Sequence, residues 1–302
     1  MMLLAGTSYG LVTPLVKMAI AHGIPVTKLT VSQYPVSIIL LWFGALGTKK
    51  RVPIAKARKK EIAYMALLGV IGAAASLSYY HSLAFVPGAV GIVLLFQFAW
   101  ILPVINGLIR RQWPKKHEQL AIAIIVIGTV FAAGPAKWHF PLWAVGLGLM
   151  AATLYALSLL LSGQIVGQLS AWQRASISTS VSFVVVLLAG QPWQTPQELF
   201  SLKIWTWGTV IGLFSLTIPL IAIYVSAPKL PPALTGILAA WELPVAVILS
   251  SLWLRESVDL SRWLGILLIL GGIAFSSVVP ALVENSPRRY QPHPIYPQTK
   301  SE

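Results

Sequence analysis

The chain has 302 residues, 57% hydrophobic and only 10% charged, with a mean hydropathy of +0.78. So few charges exclude a soluble domain of this size, which carries roughly 25% charged residues to cover its surface. The formal charge of +14 is spread between apolar stretches and reads as membrane orientation, not nucleic-acid binding, and the absence of cysteine excludes disulfides, thiolate zinc sites and thiol catalysis.

A spanning helix needs roughly 20 apolar residues. On that scale the chain predicts an all-α integral membrane protein of ten transmembrane helices, at 2–21, 29–47, 62–81, 88–109, 119–134, 141–163, 172–190, 204–226, 232–254 and 262–283. Span one begins almost at Met1 with no A-x-A-like site behind it, so it predicts a spanning helix and not a cleaved signal. It holds Tyr9, the pair Gly6 and Gly10 at helix-packing spacing, and Lys17 in its outer part. Span two carries Gln33, and the loop after it, TKKRVPIAKARKKE, is strongly basic. Span three holds Tyr79 and Tyr80, and span four Gln97 and Trp100. Span six holds Tyr155, and span seven a run SISTSVS that reads as helix packing. Span nine carries Trp241 and Glu242 near its centre. His22 and His81 lie near span ends and read as solvated residues. Trp113, Trp138, Trp143, Trp193, Trp205 and Trp207 read as interfacial belts. Residues 284–302 are proline-rich, poorly apolar and predict a disordered tail.

Lys and Arg in short loops set orientation. Lys49, Lys50, Arg51, Lys56, Arg58, Lys59 and Lys60 fall on one side together with Arg110, Arg111, Lys115 and Lys116. Arg174, Lys229, Arg288, Arg289 and Lys300 join them if the spans alternate. The other side holds only Lys28, Lys137, Lys203, Arg255 and Arg262. Both termini are therefore expected in the cytoplasm.

At an offset of 144 residues, Tyr80 meets Tyr224, Ser82 meets Ser226, Pro87 meets Pro231, and Arg111 meets Arg255. Leu120, Ile122, Ile125 and Gly128 meet Leu264, Ile266, Ile269 and Gly272. Shared apolar composition does not align Tyr, Pro, Arg and Gly at one offset. The repeats are expected at 1–139 and 140–283. Five spans per repeat, an odd number, invert the second against the first, the arrangement of alternating-access carriers.

The segment ELPVAVILSSLWLRESVDLSRWLGILLILGGI, Glu242–Ile273, and the opening TSYGLVTPLVK carry a resemblance. They resemble the drug/metabolite transporter superfamily, EamA-type. The matching positions are Glu242, Leu254, Glu256, Gly265, Gly271 and Gly272, with Tyr9, Gly10 and Lys17 in span one. Several positions depart from the pattern. Leu243 separates Glu242 from Pro244, Arg255 stands where Gly is common, Gln33 replaces an Arg, and Gln112 replaces a Glu. The resemblance implies export of metabolites such as amino acids, or of amphipathic compounds, across a bacterial-type cytoplasmic membrane.

Charging a carboxyl at the bilayer centre costs roughly 2.5–3.5 kcal/mol on insertion scales. Glu242 therefore predicts protonation, a bound cation or a polar cavity, and is the candidate for substrate recognition or coupling to a proton or cation. Lys17 is the second candidate, through pairing with Glu242 or with an anionic group; alternatively it snorkels to the outer interface. Gln33, Gln97, Tyr9, Tyr79, Tyr80, Trp100, Tyr155 and Trp241 are candidates to line the cavity, each with helix packing as its alternative. Aromatic rings around one carboxylate suit an amphipathic or cationic solute. No nucleotide-binding G-x-x-x-x-G-K-[ST], zinc-binding H-E-x-x-H or serine-nucleophile elbow occurs, so neither an enzyme nor a cofactor or metal is expected. The expected function is secondary transport of a small organic solute. Uptake of a nutrient and a non-transporting membrane scaffold or sensor are the alternatives, and a dry interior without a central pocket would favour the scaffold.

Overall fold

The computed structural model describes residues 1–48, 53, 57–111, 116–133, 140–162, 168–194, 201–226, 238–255 and 259–283. Several positions used above lie outside them: the basic residues 49–51, Lys56, Lys115, Lys229 and the tail 284–302, with Gln112, Trp113, Lys137, Trp138, Pro231 and Glu256.

The described residues are helical, without a strand. Seven helices are long and apolar enough to cross a membrane, and the shorter apolar helices Glu242–Leu254 and Leu260–Ser276 accompany them. In a bilayer every backbone N–H and C=O must be satisfied internally, which the helix does within one segment. In chain order the elements are α1 Met2–Ala21, α2 Val26–Ser32, α3 Tyr34–Gly47, α4 Lys59–Phe85, α5 Gly88–Leu95, α6 Phe98–Arg110 and α7 Lys116–Ala133. They continue as α8 Leu142–Ser162, α9 Ala171–Gly190, α10 Leu202–Gly212, a π turn Leu213–Thr217, α11 Ile218–Ser226, α12 Glu242–Leu254 and α13 Leu260–Val283. Helix α9 starts on a capping box, in which Ser170 accepts from Gln173 N and the Gln173 side chain accepts from Ser170 N. Beside it, buried Glu61 accepts from Gln168 N at 3.2 Å and Leu169 N at 3.1 Å, with Arg174 Nε 4.0 Å away.

Three of the expected spans are interrupted. Gln33 separates α2 from α3, just before the Tyr34–Pro35 step. Phe96–Gln97 separates α5 from α6, and Ala240–Trp241 is the turn before α12. The last two breaks are 144 residues apart, the offset of the sequence repeat. The same offset relates the helix ends Arg111 and Arg255, which share a left-handed backbone at φ 52° and 54°. Glycine adopts that conformation without a Cβ penalty and is the usual residue there, which explains the departure at Arg255: this chain makes the same helix end with an arginine.

The packing has the same internal symmetry. Helix α1 lies along α12, as α8 lies along α5 and α6. Helix α4 packs on α8 and α9, as the segment α10–α11 packs on α1, α2 and α3. Exchange of the repeats maps each of these contacts onto another, and maps α7 against α13 onto itself. Gly128 and Gly265 let α7 and α13 approach: a Cβ on Gly128 would stand 2.8 Å from Gly265 O and 2.9 Å from Ile269 N. Backbone atoms there cannot give way. Gly128→Val should therefore destabilise the protein by about 1–3 kcal/mol, the usual overpacking range, read as a lowered melting temperature in detergent micelles. An unchanged melting curve would mean that this crossing tolerates separation. Outward-facing apolar side chains such as Ile39, Phe43, Leu108 and Val130 are exposed, as lipid-facing surface requires.

Candidate functional site

The break at Ala240–Trp241 makes Glu242 the first residue of α12. A helix N-terminus carries partial positive charge that favours a carboxylate. Glycines in α1 let it close on this break. A Cβ on Gly6 would come within 3.2 Å of Leu238 O, and one on Gly10 within 3.0 Å of Glu242 O. The G-x-x-x-G spacing thus works as helix packing, at the point that presents the carboxylate.

Glu242 faces a cavity of about 240 Å³ between the first and second halves of the chain. Its side chain is buried, with 7% of the residue exposed, and its carboxylate receives no hydrogen bond or ion pair from any described residue. The first half contributes Tyr9 and Thr13 from α1, Tyr34 from α3, and Ser76, Tyr79 and Tyr80 from α4. The second half contributes Tyr155 and Ser158 from α8, Ser178, Thr179 and Ser182 from α9, and Ser215 from the π turn. No described residue of α7 or α13 lines it. Tyr79 and Tyr155 lie within coulombic range of the Glu242 carboxyl.

Hydrogen bonds hold the wall in place. Thr13 Oγ1 and Tyr79 Oη are 2.7 Å apart. Tyr80 Oη donates to Gln33 Oε1 at 3.1 Å, and Ser215 Oγ donates to the same oxygen at 2.9 Å. Ser8 Oγ donates to Phe214 O in the π turn at 2.8 Å, so the widened turn is tied to α1 across the repeat boundary. Such π turns open a helix locally and are frequent at functional sites.

Five of the ten candidate residues meet at this cavity: Tyr9, Tyr79, Tyr80, Tyr155 and Glu242. The other five do not line it. Lys17 Nζ donates to Leu83 O at 3.1 Å and Val86 O at 3.0 Å, closing carbonyls at the C-terminus of α4, where a cation is favourable. Gln33 is fully buried behind Tyr80. Gln97 ties the α5–α6 break to α7: its Nε2 donates to Val93 O at 2.7 Å and Thr129 Oγ1 at 2.9 Å, and its Oε1 accepts from Trp100 Nε1 at 2.8 Å. Trp241 is 47% exposed on the outer surface. The hydroxyl residues escaped sequence reasoning, although their spacing carries a signal. Thr13 follows Tyr9 by four residues and Ser182 follows Ser178 by four, each pair on one helix face.

A family model described as the EamA-like transporter family matches residues 1–134 and again 142–278. No curated protein matches the chain. A solved structure described simply as a crystal structure of a protein superposes with a TM-score of 0.63, covering 94% of this chain and 98% of that one. At 12% identity that is a likeness of fold.

Proposed function

The chain belongs to the EamA-like transporter family, and from that premise we propose that it is a secondary carrier of a small organic solute working by alternating access. The observation that carries this reading is the Glu242 cavity at the seam of the two repeats, its wall drawn from both. A scaffold or sensor needs no such solute-sized space. The repeats, 1–139 and 140–283, are taken as inverted five-span halves that rock about this cavity. The contacts preserved under exchange of the repeats support that arrangement.

On the expected topology, Leu68, Tyr155, Leu220 and Ile223 extend the cavity lining from mid-depth toward the cytoplasmic ends of the spans. The outer ends are packed shut by Val16, Ile24, Leu29 and Leu83 with Trp207. Lys17 fastens α1 to the end of α4 there. The His22 ring packs at a tilt against Trp207, centroids 5.5 Å apart, and Lys203 Nζ donates to His22 O at 2.7 Å. Opening outward requires these contacts between α1 and α10 to part. Glu242 is the recognition and coupling group, exchanging a proton or cation for the solute. The direction is export of metabolites such as amino acids or of amphipathic compounds, as in the family resemblance, with uptake of a nutrient as the second reading. The membrane is the cell membrane, with both termini cytoplasmic.

A solute screen on inside-out vesicles, with and without a proton gradient, tests the carrier reading. Gradient-dependent accumulation of at least one organic solute is expected, and its absence across amino acids and amines would favour the scaffold. Topology is tested by reporter fusions at Lys56 and Arg288, both expected to report the cytoplasm. Reporters on opposite sides would sink the even span count.

A further inference from the structure

We propose that the cavity selects organic amines that carry a positive charge and no carboxylate. The inference rests on reading the cavity as the carrier's solute site, and it narrows the solute class beyond that reading. Two independent observations lead to it.

The first is charge. Glu242 is more than nine-tenths buried, faces the cavity and takes no partner from any described residue. Among the described residues that line the cavity, none is Lys, Arg or His. Lys17 stands one helical turn beyond Thr13, yet its ammonium is directed to Leu83 O and Val86 O. A buried charge is stable only when paired. An ammonium group brought by the solute pairs with Glu242. A solute carboxylate finds no cation among the described residues of the wall.

The second is the direction of the wall's hydrogen bonds. Ser158 Oγ donates to Tyr155 O at 2.8 Å, and Ser182 Oγ donates to Gly69 O at 2.7 Å. Ser215 and Tyr80 both donate to Gln33 Oε1. A hydroxyl has one proton and two lone pairs. These four protons are spent within the protein, so what the four oxygens still offer is lone pairs. Thr179 Oγ1 is a buried hydroxyl without a described partner, and Tyr34, Tyr155, Ser76 and Ser178 add further hydroxyls, yet neutral hydroxyls do not offset a carboxylate. The four lone-pair oxygens suit the N–H donors of a primary ammonium, and the Glu242 carboxylate among them repels an anion. Rings of Tyr9, Tyr79 and Tyr155 supply apolar and cation–π surface for the rest of the solute. The volume equals that of about eight water molecules, the scale of a small aryl or alkyl amine.

The test uses the full chain in lipid nanodiscs at neutral pH and four matched probes: tyramine, tyrosine, tyrosol and phloretate. They share a phenol ring and differ in charge. Equilibrium binding of labelled tyramine is competed by the other three. Tyramine is expected to bind at least about tenfold more tightly than tyrosine, with phloretate weakest. In Glu242→Gln, tyramine should weaken by about tenfold or more while tyrosol is unchanged. The wild-type series stands alone if that variant fails to fold. Tyrosine or phloretate binding as tightly as tyramine overturns the proposal, and so does absence of tyramine binding. Counterflow of labelled tyramine in proteoliposomes separates the two readings. Selective binding without counterflow rejects the carrier and leaves the amine site. Counterflow of tyrosine equal to that of tyramine rejects the amine selectivity and leaves the carrier.

Discussion

Glu242→Gln is expected to fold and reach the membrane as well as the native protein, yet to lose gradient-driven accumulation while retaining exchange of solute for solute. Glutamine matches the carboxylate in shape, and no described residue donates a hydrogen bond to Glu242 that the substitution would break. What disappears is the ability to hold a charge or a proton. A pH difference of one unit is worth about 1.4 kcal/mol and sustains about tenfold accumulation per proton exchanged. The variant should therefore fall to an accumulation ratio of about one, with a flat pH profile for the remaining exchange. The logic is competition for one site: a carboxylate that pairs with an ammonium solute cannot hold a proton as well, so each leaves when the other binds. Proteoliposomes with an imposed pH gradient give the ratio directly. Wild-type rate and unchanged pH dependence in the variant would make Glu242 structural.

Much of the helical framework was legible because apolar length is a strong signal. Met2–Ala21 and Ala171–Gly190 lie within a residue of their expected spans. The family was legible too, in the Glu242–Ile273 segment and the 144-residue offset, and the family match covers both halves. The interruptions at Gln33, at Phe96–Gln97 and in the π turn were not legible. A break of one or two residues leaves hydropathy unchanged, and Gln97 reads as polar whether it faces solute or closes its own helix. Its amide is engaged by Val93, Thr129 and Trp100, the helix-to-helix role that was its alternative reading. Lys17 was ambiguous for a related reason. Its long stem reaches several partners, and only the position of the α4 C-terminus decides among them. The SISTSVS run was read as packing because hydroxyls serve both purposes. Ser182 does bond Gly69 O across the helix interface, and it lines the cavity as well.

Two glycines one turn apart on α4 separate packing from passage. Gly69 packs against α9: a Cβ there would lie 2.5 Å from Ser178 O and 2.8 Å from Val181 Cβ. Gly69→Val forces α4 and α9 apart and should cost about 1–3 kcal/mol of stability. Gly72 lines the cavity, and the nearest atom to a Cβ there is Ser182 Oγ at 3.8 Å. Its side chain would grow into open space, and any residue other than proline improves on glycine in a helix interior. Gly72→Phe should therefore leave the melting temperature unchanged or slightly raised while its ring fills much of the solute space. Transport is expected to fall at least about tenfold, an added barrier of about 1.4 kcal/mol or more, with Gly72→Ala retaining most of it. Melting curves and counterflow on the three variants separate the effects. A Gly72→Phe protein that melts normally and transports at the wild-type rate would mean that solute crosses the membrane by a route that avoids the Glu242 cavity. Loss of transport with an intact fold would tie passage to that cavity without any change at the carboxylate itself.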